Sequence, residues 1–523
     1  MAPAERACED EALTATLEEH AKLRRELGRL DVVLFLLSAM VVVDTLGAVA
    51  VGEGQAITWL VVLAITFFVP SALISAELGA AIPDEGGAYV WCRMAFGRSF
   101  AALVSLLYWA GTPLWLGGSV TAVAVAVVDR FVAPLSRPGL LAFGAIFILV
   151  ATLAAVAPLR WGKWVPSSGA IGQGVLLAFF TLSVVIYAIG HGVHGIDGLD
   201  LGSFAPTWVT FIAVAPVLLY SFVGVELPST AGEEMKDPRR DVPVAIARAG
   251  IGVMAFYAIP VIAIILVLPP ARISTLHGLI DALRTVLTVY GGHVAADGQV
   301  VLEGAGAVLG QLVAILFVWV LCGSGAAWIM GAGRAQAAAC LDGGGPRVLG
   351  RISGSTGTPV PIILVSGVLA LAVMAFDVIA TGGDAQRYFS AALTLAIALI
   401  VMAYVGIFPA FVRLRYALPN LPRPFVAPGG IRAAWLIAGL ATAWSLFATV
   451  SLLWPGLGME HPDAALPQGF AGRRDEFEFM VLAPLALLIL VWLAFLAVGR
   501  RTQPDAAIEL PLETVPELEV TAP

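Results

Sequence analysis

Long runs of apolar residues, separated by short polar connections, follow one another along most of the chain. Each run has about 20 residues or more, which is the length that an α-helix needs to cross the hydrocarbon core of a bilayer. We therefore expect an all-α polytopic membrane protein. The pattern predicts twelve transmembrane helices, at 32–56, 57–82, 99–128, 138–157, 165–189, 207–231, 243–268, 303–338, 360–379, 386–412, 432–454 and 479–499.

The composition agrees with this class and excludes a soluble globule. Of 523 residues, 59% are hydrophobic and 13% are charged, whereas soluble proteins carry about 25% charged residues. Too little polar surface remains to cover a water-facing protein. The four cysteines show no paired spacing, which predicts free thiols and no disulfide framework.

The two ends of the chain are polar. Residues 1–31 are predicted as a cytoplasmic segment with a short charged helix over 11–30, and residues 501–523, rich in Pro and Glu, as a disordered cytoplasmic tail. If the N-terminus is cytoplasmic, 22 of the 29 Lys and Arg residues fall in inner segments. Because basic residues concentrate in cytoplasmic loops, the sequence predicts a multi-pass protein of the plasma membrane with both termini inside.

Two of the predicted spans are unsuited to be plain membrane anchors. The first, LFLLSAMVVVDTLGAVAVGEGQA, holds Asp44, Thr45 and Gly47 near its middle, and the sixth, APVLLYSFVGVELPSTAGEE, holds Gly224 and Glu226 at a similar depth. Interrupted spans in matching places of two halves indicate an inverted repeat with a binding site at the interruptions. Backbone freed by such a break is tolerated only where it lines a cavity or binds something.

The two carboxylates of these spans are candidate functional groups. A carboxylate within the membrane costs several kcal/mol unless it is paired, protonated or hydrated. The three lysines of the chain, Lys22, Lys163 and Lys236, lie at or outside the predicted membrane edges. Asp44 and Glu226 can therefore take a proton or meet a protonated amine. The alternative for each is a protonated carboxyl that clips the backbone by a hydrogen bond.

Three segments resemble the amino acid–polyamine–organocation (APC) superfamily, and among its members the bacterial amino acid/amine antiporters. They are AELGAAIPDEGGAYVWCRMAFG at 76–97, SFVGVELPSTAGEEMKDPRRDVPVAI at 221–246 and CGSGAAWIMGAGRAQAAACLDGG at 322–344. The resemblance implies the APC fold, a five-plus-five inverted repeat followed by two C-terminal helices. The ten-helix transport core would then occupy 32–413, and helices eleven and twelve would lie in 414–500.

The resemblance also implies roles for single residues. Tyr220 falls where relatives keep an aromatic gate, Glu226 where some relatives link protonation to transport, and Trp328 where antiporters stack an aromatic ring on the substrate. Gly47 matches the last glycine of the family's first-span triplet. The predicted substrate-binding set is Asp44, Thr45, Gly47, Tyr220, Phe222, Gly224, Glu226 and Trp328, with Tyr108 and Trp109 of the third span as weaker candidates.

The sequence departs from the family pattern at two places. Thr45 replaces the first glycine of the triplet, and Asp44 precedes it. Backbone N–H groups at a helix N-terminus hold anionic groups, and an acidic side chain beside them disfavours an anion. We therefore expect an amine, or a cationic or neutral amino acid, rather than glutamate. Some proton-coupled relatives carry a lysine in the fifth span, where Phe180 or a neighbour stands here.

These features predict a secondary active transporter of amino acids or related amines that works by alternating access, coupled to exchange or protons. A polyamine or amine uptake system is the alternative within this class, and a transport-inactive amino acid sensor is the alternative outside it. No catalytic constellation, cofactor motif or nucleic-acid motif is found, and we expect a monomer or homodimer in lipid. A sodium ligand at Ser324 and a metal site in HGVHGIDGLD (191–200) are weaker alternatives.

Overall fold

The computed structural model describes residues 18–193, 201–295, 298–380 and 384–502. Most of this chain is helical, as the apolar runs predict. The main helices are α1 (Arg29–Met40), α2 (Leu46–Ala50), α3 (Glu53–Leu63), α4 (Val69–Ala81), α5 (Ala88–Phe96), α6 (Arg98–Trp115), α7 (Thr121–Phe131), α8 (Arg137–Val156), α9 (Trp164–His191), α10 (Trp208–Tyr220), α11 (Pro238–Val267), α12 (Gly278–Leu287), α13 (Gly304–Leu341), α14 (Val360–Ala380), α15 (Ala385–Ala417), α16 (Gly430–Leu453) and α17 (Arg474–Thr502).

Within the described residues, ten helical stretches are long and apolar enough to cross a membrane, and 210–220 and 360–376 form two shorter apolar helices. The polytopic helical class is thus confirmed, whereas the count of twelve spans stays a prediction. Apolar side chains cover the outer surfaces of the bundle, for example Leu153, Ile171, Ile315 and Leu490, each more than half exposed. Apolar side chains at these positions are suited to contact with the hydrocarbon tails of lipids rather than with water.

The centre of the bundle is formed by α6, α13 and α15, whose facing residues are nearly all buried. A short antiparallel hairpin, β1 (Gly292–Val294) with β2 (Val300–Leu302), pairs Gly292 with Leu302 beside the start of α13. The short helix α12 precedes this hairpin in the chain. The last helix, α17, packs at the periphery.

One end of the bundle holds both Leu27 and Arg500, and we call it the terminal end. Arg500 donates to the Ser99 hydroxyl at 2.9 Å, and the backbone of Leu27 pairs with Met235. The charged helix predicted over 11–30 is wrong in its second half, since residues 23–28 are not helical and α1 begins at Arg29. The Leu27 amide donates to the Glu234 carbonyl at 3.0 Å instead of continuing a helix. Residues 1–17 and the predicted disordered tail beyond 502 lie outside the described residues.

Candidate functional site

The first span is broken between α1 and α2. Val41 and Val42 have extended backbones, with ψ of 95° and 99°. The break therefore lies just before Asp44, within the part of the span where the sequence places Asp44, Thr45 and Gly47. Both valines are β-branched, and β-branching lowers helix propensity only slightly, so the sequence carries little local sign of this break.

Side chains from three other helices satisfy the backbone groups at this break. The Tyr257 hydroxyl of α11 accepts from the Val42 amide and lies within hydrogen-bonding distance of the Met40 carbonyl, each at 3.1 Å. Gln173 of α9 donates to the Val41 carbonyl. Trp328 of α13 donates to the Ala39 carbonyl at 2.9 Å. An unpaired buried peptide group costs about 1–3 kcal/mol. These hydrogen bonds therefore stabilise the broken conformation of the first span.

The sixth span is broken after α10. The chain turns through 221–226 and re-forms as 3₁₀ turns at Leu227–Thr230 and Gly232–Glu234. Gly224 has φ of +99°, and a Cβ there would lie 3.1 Å from the Trp328 ring. A residue with a side chain is therefore disfavoured at Gly224 both by its backbone and by its neighbour.

Glu226 lies at this second break with 1% of its surface exposed. Its carboxylate accepts hydrogen bonds from two phenols, Tyr108 of α6 and Tyr404 of α15, each at 2.6 Å. The Tyr404 hydroxyl also accepts from the Gly224 amide at 2.9 Å. Tyr404 thus ties the carboxylate to the turn that carries it. In the described chain the recorded partners of this carboxylate are neutral.

Asp44 lies beside the first break and is equally buried, at 2% exposure. One carboxylate oxygen accepts from the Trp115 indole at 3.2 Å and from the Ser119 hydroxyl at 3.3 Å. The other oxygen has no hydrogen-bond partner among the described residues. Ser119 lies in a π-helical turn, Leu116–Val120, between α6 and α7. Such turns often mark functional sites because they re-aim side chains.

A line of aromatic rings connects the two carboxylates. Trp328 lies 5.9 Å from Tyr108 and 6.3 Å from Trp115, between ring centroids. Since Tyr108 donates to Glu226 and Trp115 donates to Asp44, the rings join one break to the other. Tyr220 lies within electrostatic reach of Asp44, and its buried hydroxyl has no partner in the described part of the chain.

The remaining residues of the predicted set have other surroundings. The Thr45 hydroxyl donates to the Val42 carbonyl at 2.8 Å and so closes the turn after the break. Phe222 is fully buried with its ring 5.3 Å from Phe68. Gly47 packs against a connecting segment, where an added Cβ would lie 2.7 Å from the Thr275 carbonyl oxygen. A close approach of two backbones thus explains this glycine.

The weaker candidates separate in the structure. Tyr108 holds Glu226, whereas the Trp109 indole donates to Ser366 of α14 at 2.8 Å. Ser324 is buried in α13. Of the segment proposed as an alternative metal site, residues 194–200 lie outside the described residues. Phe180 is buried in α9, and it is Gln173 of that helix that contacts the first break.

Sequence reasoning did not find Tyr404, Trp115, Ser119 or Gln173. Tyrosine and tryptophan residues, and single serine or glutamine residues, are common in the packed helices of membrane proteins. The only signal in the sequence is that each of these residues lies within a span that holds few other polar groups. Their contacts with Asp44, Glu226 and the breaks become visible only when distant helices meet.

The acidic pair after the sixth span also has partners that the sequence did not suggest. Glu233 and Glu234 lie close in sequence to the basic run 236–240. In the structure Glu234 contacts Arg334 of α13 at 2.7 Å, and Glu233 contacts His20 at 2.9 Å. Residues far along the chain therefore hold this segment at the terminal end.

Comparisons with known proteins agree with this architecture. A family model described as amino acid permease matches residues 27–464. A probable agmatine/putrescine antiporter of Lactococcus lactis is 26% identical over 84% of this chain and 89% of its own length. A glutamate/gamma-aminobutyrate antiporter of the same species is 24% identical over 73% of this chain and 74% of its own length.

A third similar protein, an uncharacterized transporter of Legionella pneumophila, is 27% identical over 74% of this chain and 80% of its own length. The similarity in each case extends across most of both chains. The family and these relatives are transporters rather than enzymes. The chain belongs to the amino acid permease family of multi-pass membrane transporters within the APC superfamily.

Proposed function

We propose that this protein is a secondary active transporter that exchanges amines, or cationic and neutral amino acids, across the plasma membrane by alternating access. The observation that carries the proposal is a buried carboxylate at each of two broken helices, with aromatic rings between them. A carboxylate within a membrane is costly unless it is paired, protonated or hydrated, so a buried carboxylate there is a functional candidate. Glu226 and Asp44 can each bind a proton or pair with the positive charge of a ligand.

The chemistry of the site favours a substrate with an ammonium group. The free oxygen of Asp44 and the unpartnered hydroxyl of Tyr220 are polar groups that a protonated amine would satisfy. The faces of Trp328 and Tyr108 would attract the same cation, by about 0.5–2 kcal/mol each. The similar Lactococcus protein named as a probable agmatine/putrescine antiporter supports amines as the substrate class.

Coupling follows from the same groups. Glu226 is held by two neutral phenols, so it can gain or lose a proton without breaking an ion pair. We propose that its protonation alternates with binding of the cationic substrate. Asp44, Thr45, Tyr220, Phe222, Gly224 and Trp328 form the proposed binding site with it, and Tyr108, Trp115, Ser119 and Tyr404 hold the two carboxylates.

The proposed architecture is the family's ten-helix core at 32–413, with two further spans in 414–500 and both termini in the cytoplasm. Counting the broken sixth segment and α14 as spans gives twelve. The matching positions of the two breaks, in the first and sixth spans, support a five-plus-five inverted repeat. In this scheme the two broken spans move against the remaining helices.

Uptake of radiolabelled putrescine, agmatine, γ-aminobutyrate and glutamate into proteoliposomes tests the proposal. Vesicles preloaded with unlabelled putrescine should take up labelled putrescine and agmatine faster than empty vesicles. The double variant Asp44→Asn, Glu226→Gln should take up neither amine, while Glu478→Gln, changed at a partly exposed ion pair far from the site, should match the parent protein. Binding of label without movement into the vesicle would instead establish a sensor.

A further inference from the structure

A cluster of buried charges at the terminal end lies apart from Asp44 and Glu226. Arg334 of α13, 2% exposed, contacts two carboxylates that are equally enclosed. Its guanidinium lies 2.7 Å from Glu234 and 3.3 Å from Glu85. Glu234 receives two hydrogen bonds from Arg334. Glu85 receives none at either carboxylate oxygen within the described chain.

The backbone holds these groups in place from two sides. The loop that carries Glu85 pairs with Ala231, and the Gly86 amide donates to the Thr230 carbonyl at 2.9 Å. On the other side the N-terminal segment 18–28, which we call the strap, pairs with 234–236. The Leu27 amide donates to the Glu234 carbonyl and the Lys236 amide donates to the Leu27 carbonyl, each at 3.0 Å. The segment behind the sixth-span break is therefore clamped between the strap and the loop after α4.

His20 supplies a second ionisable contact on the strap. Its ring nitrogen lies 2.9 Å from Glu233, which also accepts from the Glu85 amide at 3.3 Å. A small cavity lined by His20, Glu85 and Arg334 joins the two charge pairs. The strap is further tied by Glu19, which accepts from the Ile352 amide at 2.7 Å. Movement of the sixth-span segment away from α13 would separate Glu234 from Arg334.

The charges of this cluster do not balance without protons. Arg334 provides one positive charge for the buried Glu85 and Glu234. The partly exposed Glu233 faces Arg25 and His20, and His20 is charged only when it is protonated. A buried charge without a partner costs several kcal/mol. We propose that Glu85 and His20 form a proton-binding site at the terminal end, distinct from Glu226, which is loaded when this end of the transporter is closed and unloaded when it opens.

Burial raises the pKa of Glu85, and the neighbouring charges of Glu234 and Glu233 raise it further against the opposing effect of Arg334. Burial alone would lower the pKa of His20, but the hydrogen bond and charge of Glu233 outweigh burial and raise it. Asp84 and Glu19 act on His20 in the same sense. A group whose pKa is raised in the closed state stabilises that state at low pH.

This stabilisation is lost as the pH rises through the raised values. Glu233 has the opposite tendency, because His20 and the Glu85 amide lower its pKa despite burial. The ion pair between Glu233 and His20 is therefore formed at pH values between the pKa of Glu233 and the pKa of His20. It breaks when the pH rises above the pKa of His20. Arg25 also faces Glu233, and Glu26 faces Glu234. The closed terminal end thus gains protons on acidification, and higher pH favours opening.

Labelling of a cysteine beneath the strap tests this inference. The pH dependence of opening can be measured without transport, and only its effect on transport rests on the proposed function. Ser167 is buried at the terminal end, in a cavity lined also by Leu27 and Glu234. Ser167→Cys would be introduced into purified protein whose four native cysteines are replaced. Its rate with an impermeant maleimide, divided by that of the exposed Gly354→Cys at the same pH, should rise about fivefold or more between about pH 5.5 and about pH 8.

Variants of Glu85 and His20 test whether these two residues cause the pH dependence of the labelling ratio. Glu85→Gln combined with His20→Gln should flatten the ratio, and Glu85→Asp alone should keep the pH dependence because it still titrates. Glu478→Gln, changed at a partly exposed ion pair away from the strap, should keep the parent profile whether or not the protein transports amines. A flat parent profile, or a double variant that still shows the full rise, would overturn the proposal.

Discussion

At the scale of single residues, Glu226 is distinguished by its partners. Two phenols donate to the carboxylate at 2.6 Å, and neither carries a charge. Burial of the ionised form is therefore compensated by hydrogen bonds alone, each to a charged acceptor contributing about 1.5–3 kcal/mol. A group held in this way can change its protonation state without dismantling an ion pair.

Glu226→Gln should therefore strongly flatten the pH dependence of transport, because the amide cannot titrate. Initial rates of putrescine exchange in proteoliposomes, measured across a pH series, provide the test. Tyr404→Phe is the matched control, since it removes one hydrogen bond and keeps the carboxylate. That variant should be slower and still depend on pH, and a parent-like profile in Glu226→Gln would remove this residue from coupling.

Asp44 leads to a different expectation, because one of its oxygens is unpartnered. Asp44→Asn should weaken cationic substrates by about tenfold or more, which corresponds to about 1.4 kcal/mol, and neutral amino acids much less. Competition of agmatine and of a neutral amino acid against labelled substrate measures both effects. Ser119→Ala removes a hydrogen bond to the same carboxylate and keeps its charge, so its effect should be smaller. Equal losses for both substrates in Asp44→Asn would contradict amine pairing.

The sequence predicts these two carboxylates as functional residues, but it does not predict the side chains that form hydrogen bonds with them. A charged residue within an apolar run is visible without a structure, which is why Asp44 and Glu226 could be selected. Tyr404 is 178 residues from Glu226, and nothing local distinguishes a tyrosine that donates to a carboxylate from one that only packs. Such contacts depend on how α6 and α15 meet.

At the scale of helices, the two breaks differ in how they could be anticipated. Gly224 adopts φ of +99° and lies inside the sixth-span break, so a glycine followed by a carboxylate marked the correct place. The first break falls on Val41 and Val42, which carry no such signal. Tyr257, Gln173 and Trp328 satisfy the freed backbone there, and each comes from a distant span. Gly47 lies after this break, where its backbone closely approaches that of Thr275.

Gly224→Ala should destabilise the protein and impair transport. A side chain in the left-handed region costs about 1–2 kcal/mol, and the new Cβ would lie 3.1 Å from the Trp328 ring. Thermal unfolding in detergent, followed by tryptophan fluorescence at one scan rate, measures the effect. Gly439→Ala is the control, because nothing lies within 4 Å of a Cβ there. We expect its midpoint to be unchanged or raised, and an unchanged midpoint in Gly224→Ala would show that the turn is not strained.

At the scale of the whole molecule, the orientation of the terminal end decides which compartment the charges at that end face. Twenty-two of the 29 Lys and Arg residues belong to segments predicted on the side of the N-terminus, and basic residues concentrate in cytoplasmic loops. The same end holds the strap, the Arg334 pairs and the cavity near His20. If this end is cytoplasmic, protons that load Glu85 and His20 come from the cell interior.

The orientation can be measured with single cysteines in a protein whose four native cysteines are replaced. Ala133 is exposed after α7, at the end opposite the terminal end, and Gly354 is exposed near the strap. In intact cells an impermeant maleimide should label Ala133→Cys and leave Gly354→Cys unlabelled until the membrane is permeabilised. The reverse pattern would place the His20 and Glu85 cluster outside, so that external acidity would close the transporter. Labelling at both positions without permeabilisation would contradict a single fixed orientation of the chain.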